Sequence, residues 1–115
     1  MLIGADGINS AVRETWKAHF APQVDLRSNK FCWLGADMTL PGFTYAFAEN
    51  EHGIWNLHSY MYTRPGAAPR CTLVLETTDE TFARSGLGIQ DEERTAALCQ
   101  EVFADLLGGH KLLTN

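Results

Sequence analysis

"FTYAFAENEHGIWNLHSYMYT", residues 43–63, is the stretch that decides the fold. Phe43, Tyr45 and Phe47 alternate with Thr44, Ala46 and Ala48. A polar cluster, Glu49 to Gly53, interrupts the run. Then Ile54, Asn56, His58, Tyr60 and Tyr62 alternate with Trp55, Leu57, Ser59 and Met61. Side chains of a strand point to opposite faces at a period of two, and aromatic residues favour that pleated surface. The stretch therefore predicts two antiparallel strands joined by a short turn.

The same period continues on both sides. Upstream, Phe31, Trp33 and Gly35 alternate with Cys32, Leu34 and Ala36. Downstream of Arg64 to Pro69, Cys71, Leu73 and Leu75 alternate with Thr72, Val74 and Glu76. Four such segments predict an α+β protein built on an antiparallel β-meander of about four strands. Helices should pack it. Thr78 or Asp79 can cap a short helix reaching about Arg84, and Asp91 can cap a longer one. Glu92 and Glu93 would sit in the first turn of that longer helix, where its macrodipole favours acids. Leu98, Val102, Phe103, Leu106 and Leu107 form its apolar stripe, and Gly108-Gly109 would stop it. That stripe could cover one face of the sheet.

The amino-terminal stretch has a different character. Met1 to Ala5 reads as the last piece of a buried strand. Asp6-Gly7 makes a turn, and Asn9 or Ser10 can cap a helix over about Ser10 to His19, ending before Pro22.

Composition narrows the function classes. A chain of 115 residues is of single-domain size, and 45% hydrophobic with 20% charged residues is ordinary for a globular protein. The net charge is -5 and the nine basic residues are scattered, which argues against a nucleic-acid partner. No apolar run is long enough to span a bilayer, so no membrane role is expected. Cys32, Cys71 and Cys99 are widely separated, odd in number and free of any C-x-x-C spacing. They fit buried thiols in a reducing, cytoplasmic setting better than zinc ligands or a disulfide framework.

Four constellations carry possible chemistry. Gly4-Ala5-Asp6-Gly7 would place a carboxylate and bare backbone amides where a strand feeds a helix, an arrangement that suits ribose hydroxyls and phosphate. It also fits a plain linking turn with Asp6 as a cap. "GLGIQD", residues 86–91, imitates a dinucleotide fingerprint but follows a helix and lacks the last glycine, so it reads as a loop. Asn56, His58, Tyr60 and Tyr62 share one face of a strand, either lining a pocket for an aromatic substrate or facing solvent. Glu49, Glu51 and His52 have no metal-ligand spacing, so no metal site is expected.

"GADGINSAVR", residues 4–13, closely resembles the second flavin motif of FAD-dependent aromatic monooxygenases of the para-hydroxybenzoate hydroxylase type. Gly4, Ala5, Asp6, Gly7, Ser10, Val12 and Arg13 match it. "VDLRSNKFCWLGA", "FAENEHGIWNLHSYMY", "TLVLETTDETFARSGL" and "FADLLGGHKLLTN" resemble the middle of the salicylyl-CoA and 2-aminobenzoyl-CoA hydroxylase subgroup. The resemblance implies that residues 1–27 end an FAD-binding domain with a strand, an Asp-Gly turn and a helix. Residues 28–115 would be the substrate-side sheet domain with carboxy-terminal helices. It implies FAD contacts from Gly4, Asp6, Gly7, Ser10 and Arg13, with NAD(P)H as reductant and an aromatic or aryl-CoA substrate. His58 and Tyr60 are substrate candidates by position alone. The flavin does the hard chemistry in such enzymes, and no catalytic residue is assigned here.

The family's first nucleotide-binding turn and its later Gly-Asp motif have no counterpart in the 115 residues. The expectation is therefore a segment that is inactive alone, binds no cofactor by itself and self-associates through exposed sheet surface. The competing expectation is a small non-enzymatic α+β domain that binds a ligand or partner.

Overall fold

A computed structural model describes residues 1–113. Five strands form one antiparallel sheet: β1 (Lys30–Ala36), β2 (Thr44–Asn50), β3 (Gly53–Met61), β4 (Cys71–Thr77) and β5 (Leu112–Leu113). Their spatial order is β2-β3-β4-β1-β5. The α+β expectation holds. The meander covers β2 to β4, while β1 pairs with β4 rather than with its sequence neighbour β2. Segments Asp37 to Phe43 carry the chain from β1 to the far edge of the sheet. The short β5 joins the open side of β1 through Gly35 and Ala36.

Register assigns the faces. Leu34, Leu57, Leu73 and Leu75 project to one side with Ala36, Trp55, Ser59 and Cys71, and all are buried. Helices α3 (Asp79–Ser85), α4 (Glu92–Val102) and α5 (Ala104–Leu107) accompany this core. Thr78 Oγ1 accepts from the Thr81 amide and Asp91 accepts from the Arg94 amide, each satisfying an orphan first-turn donor as expected. Of the expected stripe, Phe103 and Leu107 are buried, and Leu98, Val102 and Leu106 pack against the core. Thr95 and Cys99 are the buried positions of α4 itself. One helix was expected from Asp91 to Leu107. Instead Phe103, at φ -112 and ψ 29, divides α4 from α5 and turns its ring into the core. Gly108 and Gly109 stop α5 with φ of 55° and 83°. Residues 86–91 form the expected loop between helices.

The hairpin between β2 and β3 is held by Asn50, whose Oδ1 accepts from both the His52 amide and Trp55 Nε1, each at 3.0 Å. Gly53 follows at φ 133, a conformation essentially confined to glycine. A Cβ there would collide with Thr81 Oγ1 and stand 2.8 Å from Arg84 Nη2. The hairpin is thus seated directly on α3.

The amino-terminal stretch departs from expectation in two respects. Met1 to Ala5 is not a strand, and it is exposed. A strand needs a neighbour to satisfy its backbone groups, and none of the five strands pairs with these residues. The expected helix is present as two short pieces, α1 (Ala11–Thr15) and α2 (Lys17–Phe20), divided at Trp16. The second closes on Ala21 in the left-handed region, immediately before Pro22. Neither piece buries a residue. The radius of gyration, 17.5 Å, exceeds the roughly 13 Å of a compact chain of this length.

Candidate functional site

Among the described residues the buried cluster lies on the core side of the sheet, and the opposite side carries none. Its rows are read from the register. Tyr45, His58, Val74 and Trp33 lie side by side across four strands. The next row is Phe47, Asn56, Glu76 and Phe31, and on the other side come Tyr60, Thr72, Gly35 and Leu113. Phe31, Trp33, Phe43, Tyr45, Phe47, Ile54, Tyr60 and Tyr62 are all exposed. Contiguous exposed aromatics on this scale mark a surface that meets a ligand or another protein surface.

The alternation that forms the core also forms this face. With Trp55, Leu57 and Ser59 committed inward, Asn56, His58 and Tyr60 must point outward. Neighbouring rings organise each other. Tyr45 stacks on the His58 imidazole with centroids 5.5 Å apart and planes within 6°. Phe43 stacks on Tyr60 at 5.8 Å and 7°. Val74, in the middle of the face, is the one aliphatic side chain here that its neighbours bury.

A shallow groove of about 500 Å³ runs across one end, between Trp33 on one wall and Tyr60 and Tyr62 on the other. Gly35 and Thr72 floor it, so small side chains leave the space between larger ones. Arg70 closes one end, its Nε donating to Asp37 Oδ1 at 2.9 Å. The Asp37 carboxylate raises the guanidinium pKa further above its usual value, so Arg70 stays cationic. A separate cavity between β1, Phe82 and Leu87 has a volume of about 70 Å³. An apolar cavity that holds benzene is about 150 Å³, so this one is too small for an aromatic ring.

At the centre of the face sits a polar group. Glu76 Oε1 accepts from Asn29 Nδ2 at 2.9 Å, and Oε2 lies 3.8 Å from His58 Nε2. Asn56 Oδ1 and His58 Nε2 are buried atoms without a hydrogen-bond partner.

The Asp-Gly turn is the second candidate place. Ser10 Oγ donates to Asp6 Oδ1, the Val12 amide donates to Asp6 Oδ2 at 3.2 Å, and Ser10 Oγ accepts from the Arg13 amide at 3.0 Å. Arg13 Nη2 donates to the Ile8 carbonyl. The Ser10 hydroxyl, then the Val12 amide, hold the Asp6 carboxyl below its usual pKa, so it is anionic. Gly7 has φ 77 with open space where a Cβ would stand, whereas Gly4 would meet Val12 at 3.1 Å. Gly4, Asp6, Gly7, Ser10 and Arg13 are therefore drawn into one turn, exposed at Gly4, Asp6 and Gly7 and half-buried at Ser10 and Arg13. Asp6 and Ser10 cap the helix, and each Asp6 oxygen retains a second lone pair.

His58 and Tyr60 both lie on the open face, and Tyr60 lines the groove. No residue of the turn does. Trp33, Arg70 and Glu76 went unmarked in the sequence. Trp33 and Glu76 were recoverable from the alternation of their strands. Arg70 lies in a turn-rich segment and has no periodic signal. Burial, before the charges nearby, raises the pKa of all three thiols, that of Cys99 to about 12. Among the described residues no cluster of three or more His, Cys, Asp or Glu side chains could hold a metal ion. Among the described residues no helix is long and apolar enough to cross a membrane.

No known family profile matches the chain. It is similar to protodeoxyviolaceinate monooxygenase of Chromobacterium violaceum, with 31% identity over 114 residues, 99% of this chain. The chain spans 29% of that relative's length. This is a monooxygenase-type relationship, and it runs through both the turn and the sheet.

Proposed function

We propose that these residues form the sheet-bearing part of an FAD- and NAD(P)H-dependent monooxygenase that hydroxylates an aromatic or aryl-CoA substrate. The observation that carries the reading is the open aromatic face: a groove walled by Trp33, Tyr60 and Tyr62, with small residues on its floor. Planar rings stack on such walls at centroid separations of 4.5–7 Å, and the apolar lining excludes water from one side of a bound ring. Arg70, held in place by Asp37, would attract an anionic group of the substrate to the rim. The similarity to a monooxygenase supports this over a generic binding domain.

The Asp-Gly turn fits a flavin dinucleotide. It is exposed, bare at Gly7, anionic at Asp6 and fastened by Ser10 and Arg13. Asp6 would accept from sugar or ribityl hydroxyls, while Gly7 lets the ligand approach the main chain. FAD, when bound, supplies the redox chemistry that activates dioxygen at the expense of NAD(P)H. This chain's side chains orient the ring and exclude water, and none is required as a general base.

One turn offers few of the contacts that a tight dinucleotide site needs. The 115 residues alone are therefore inert and hold FAD only weakly. Left to themselves they self-associate through the aromatic face, which light scattering would report as a mass above 12.8 kDa. Three free cysteines fit a cytoplasmic setting. Amide-shift mapping by NMR tests the site. Millimolar FAD should perturb residues 6–13, and a benzoate or benzoyl-CoA should perturb Trp33, Tyr60 and Thr72. Shifts scattered over the helical side, or none at either place, would overturn the proposal.

A further inference from the structure

The sheet has two edges, and they differ. At one, β1 begins with Lys30 and its end at Gly35 and Ala36 is covered by β5. At the other, β2 is the end strand along its whole length, Thr44 to Asn50. Its inner side pairs with β3 throughout. On its outer side, among the described residues, no strand and no other backbone hydrogen bond engages residues 44–50. Edge strands are ordinarily blunted by lysine, proline, a bulge or a covering loop, because an open row of N–H and C=O groups recruits another strand. β2 has no lysine or proline, and its register with β3 runs unbroken. Its one charge is Glu49, beside the turn.

A groove of about 400 Å³ lies against this edge, on the core side of the sheet. Ala46 and Ala48 line it from β2, and Val102, Phe103 and Leu106 from the helices. The two alanines stand opposite Leu57 and Trp55 of β3, so the large inward side chains stop one strand short of the edge. Val102 and Leu106 are left half-buried. A strand added beside β2 would send alternate side chains into this space. Charge decides which strand. Glu101 and Asp105 line the groove, and Glu49 stands on the other face of the same edge, in line with Tyr45 and Phe47. All three acids are exposed, and none joins an ion pair among the described residues. A second copy pairing edge to edge would bring both sets of carboxylates to one seam, and like charges set opposite each other weaken a strand pair.

We propose that β2 is a docking edge for an extended segment of a partner protein in which lysine or arginine alternates with apolar residues. The segment adds one more strand to the sheet, and its backbone satisfies the open row of β2. Its apolar side chains enter the groove between Ala46 and Ala48 on one side and Val102 and Leu106 on the other. Its basic side chains lie over Tyr45 and Phe47 and reach Glu49, where stem packing and cation–π attraction both act. Glu101 and Asp105 keep the groove rim negative and draw the segment in, an attraction that extends about 8 Å at physiological ionic strength. The inference does not rest on the flavin reading, because this groove and the one at Trp33 lie on opposite faces of the sheet.

The test titrates the 115-residue chain with two probes, acetyl-KVKVKVK-amide and acetyl-EVEVEVE-amide, followed by NMR. The basic peptide should bind about tenfold more tightly than the acidic one. It should shift residues 44–50, Val102 and Leu106, and slow amide exchange along β2. A fully N-methylated form of the basic peptide has no backbone donors and should bind about tenfold more weakly. Glu101→Lys combined with Asp105→Lys, both exposed, should erase or reverse the preference between the charged peptides. No shift at residues 44–50 with millimolar basic peptide overturns the inference. Equal binding of the two charged peptides, or undiminished binding of the N-methylated one, also overturns it. Protection of residues 44–50 that rises with protein concentration in the absence of peptide assigns the edge to a second copy and overturns it as well. The peptide comparison on the unaltered chain stands even where the double variant fails to fold. Benzoate shifts at Trp33 and Tyr60 that persist in any of these cases leave the proposed function intact.

Discussion

The two faces of the sheet come from the same strands, yet they have opposite physical roles. On one, Trp55, Leu57, Leu73 and Leu75 are sealed under helices. On the other, one residue along each strand, Phe47, Tyr45, Tyr60 and Trp33 stand exposed. Both faces are rich in large apolar side chains, so hydrophobicity alone does not tell them apart. The difference lies in what covers them, and in polarity. The open face alone carries Asn56, His58 and Glu76. Rings left uncovered in the single chain, with polar groups among them, add little to folding and fit the proposed binding role.

The sharpest way to break this contrast is to truncate one ring on each side. Trp55→Ala should cost about 3–5 kcal/mol of stability, from a cavity and a lost donor to Asn50. Phe47→Ala should change it by no more than about 0.5 kcal/mol. Urea denaturation of both variants gives the comparison, and similar losses would show that the open face is structural. Next in size is Gly53→Ala, expected to cost about 2 kcal/mol through a strained φ and a clash with Thr81. A residue slipped at this hairpin would exchange the two faces of β2, so amide-exchange protection along β2 and β3 should fall together. Thr78→Ala removes the cap of α3 and should cost about 1 kcal/mol by thermal melting, with ring contacts on the open face unchanged.

The smallest effect belongs to neither face. The folded-state pKa of Asp6 is depressed, so its support for the amino-terminal helix is complete above the unfolded value of 3.8. It is lost as pH falls through the lower folded value. NMR should show residues 11–15 fraying in that acid window while the sheet persists. Asp6→Asn should show the fraying at neutral pH.

How much of this was legible follows from the range of each interaction. The strands and their inward and outward residues were readable, because the pleat imposes a period that five consecutive residues reveal. Caps at Thr78 and Asp91 were readable for the same reason, being satisfied within three residues. The placement of β1 against β4 was not, since Trp33 and Val74 are 41 positions apart and no local pattern names the partner. The supposed strand at Met1 to Ala5 shows the converse: a short apolar run signals burial, but pairing requires a neighbour. At the site, the row of Asn56, His58 and Tyr60 was visible in the alternation. That two of its atoms are unpartnered depends on Glu76 and Asn29, which only the folded register brings near.

The three tryptophans fall one to each part of the molecule: Trp16 in the amino-terminal segment, Trp33 on the open face and Trp55 at 1% exposure in the core. The chain therefore carries three built-in optical reporters. Emission from Trp55 should be blue-shifted and insensitive to iodide, while Trp33 and Trp16 should be quenched by it. Replacing two indoles at a time with phenylalanine would leave a single fluorophore whose colour reports on one region alone.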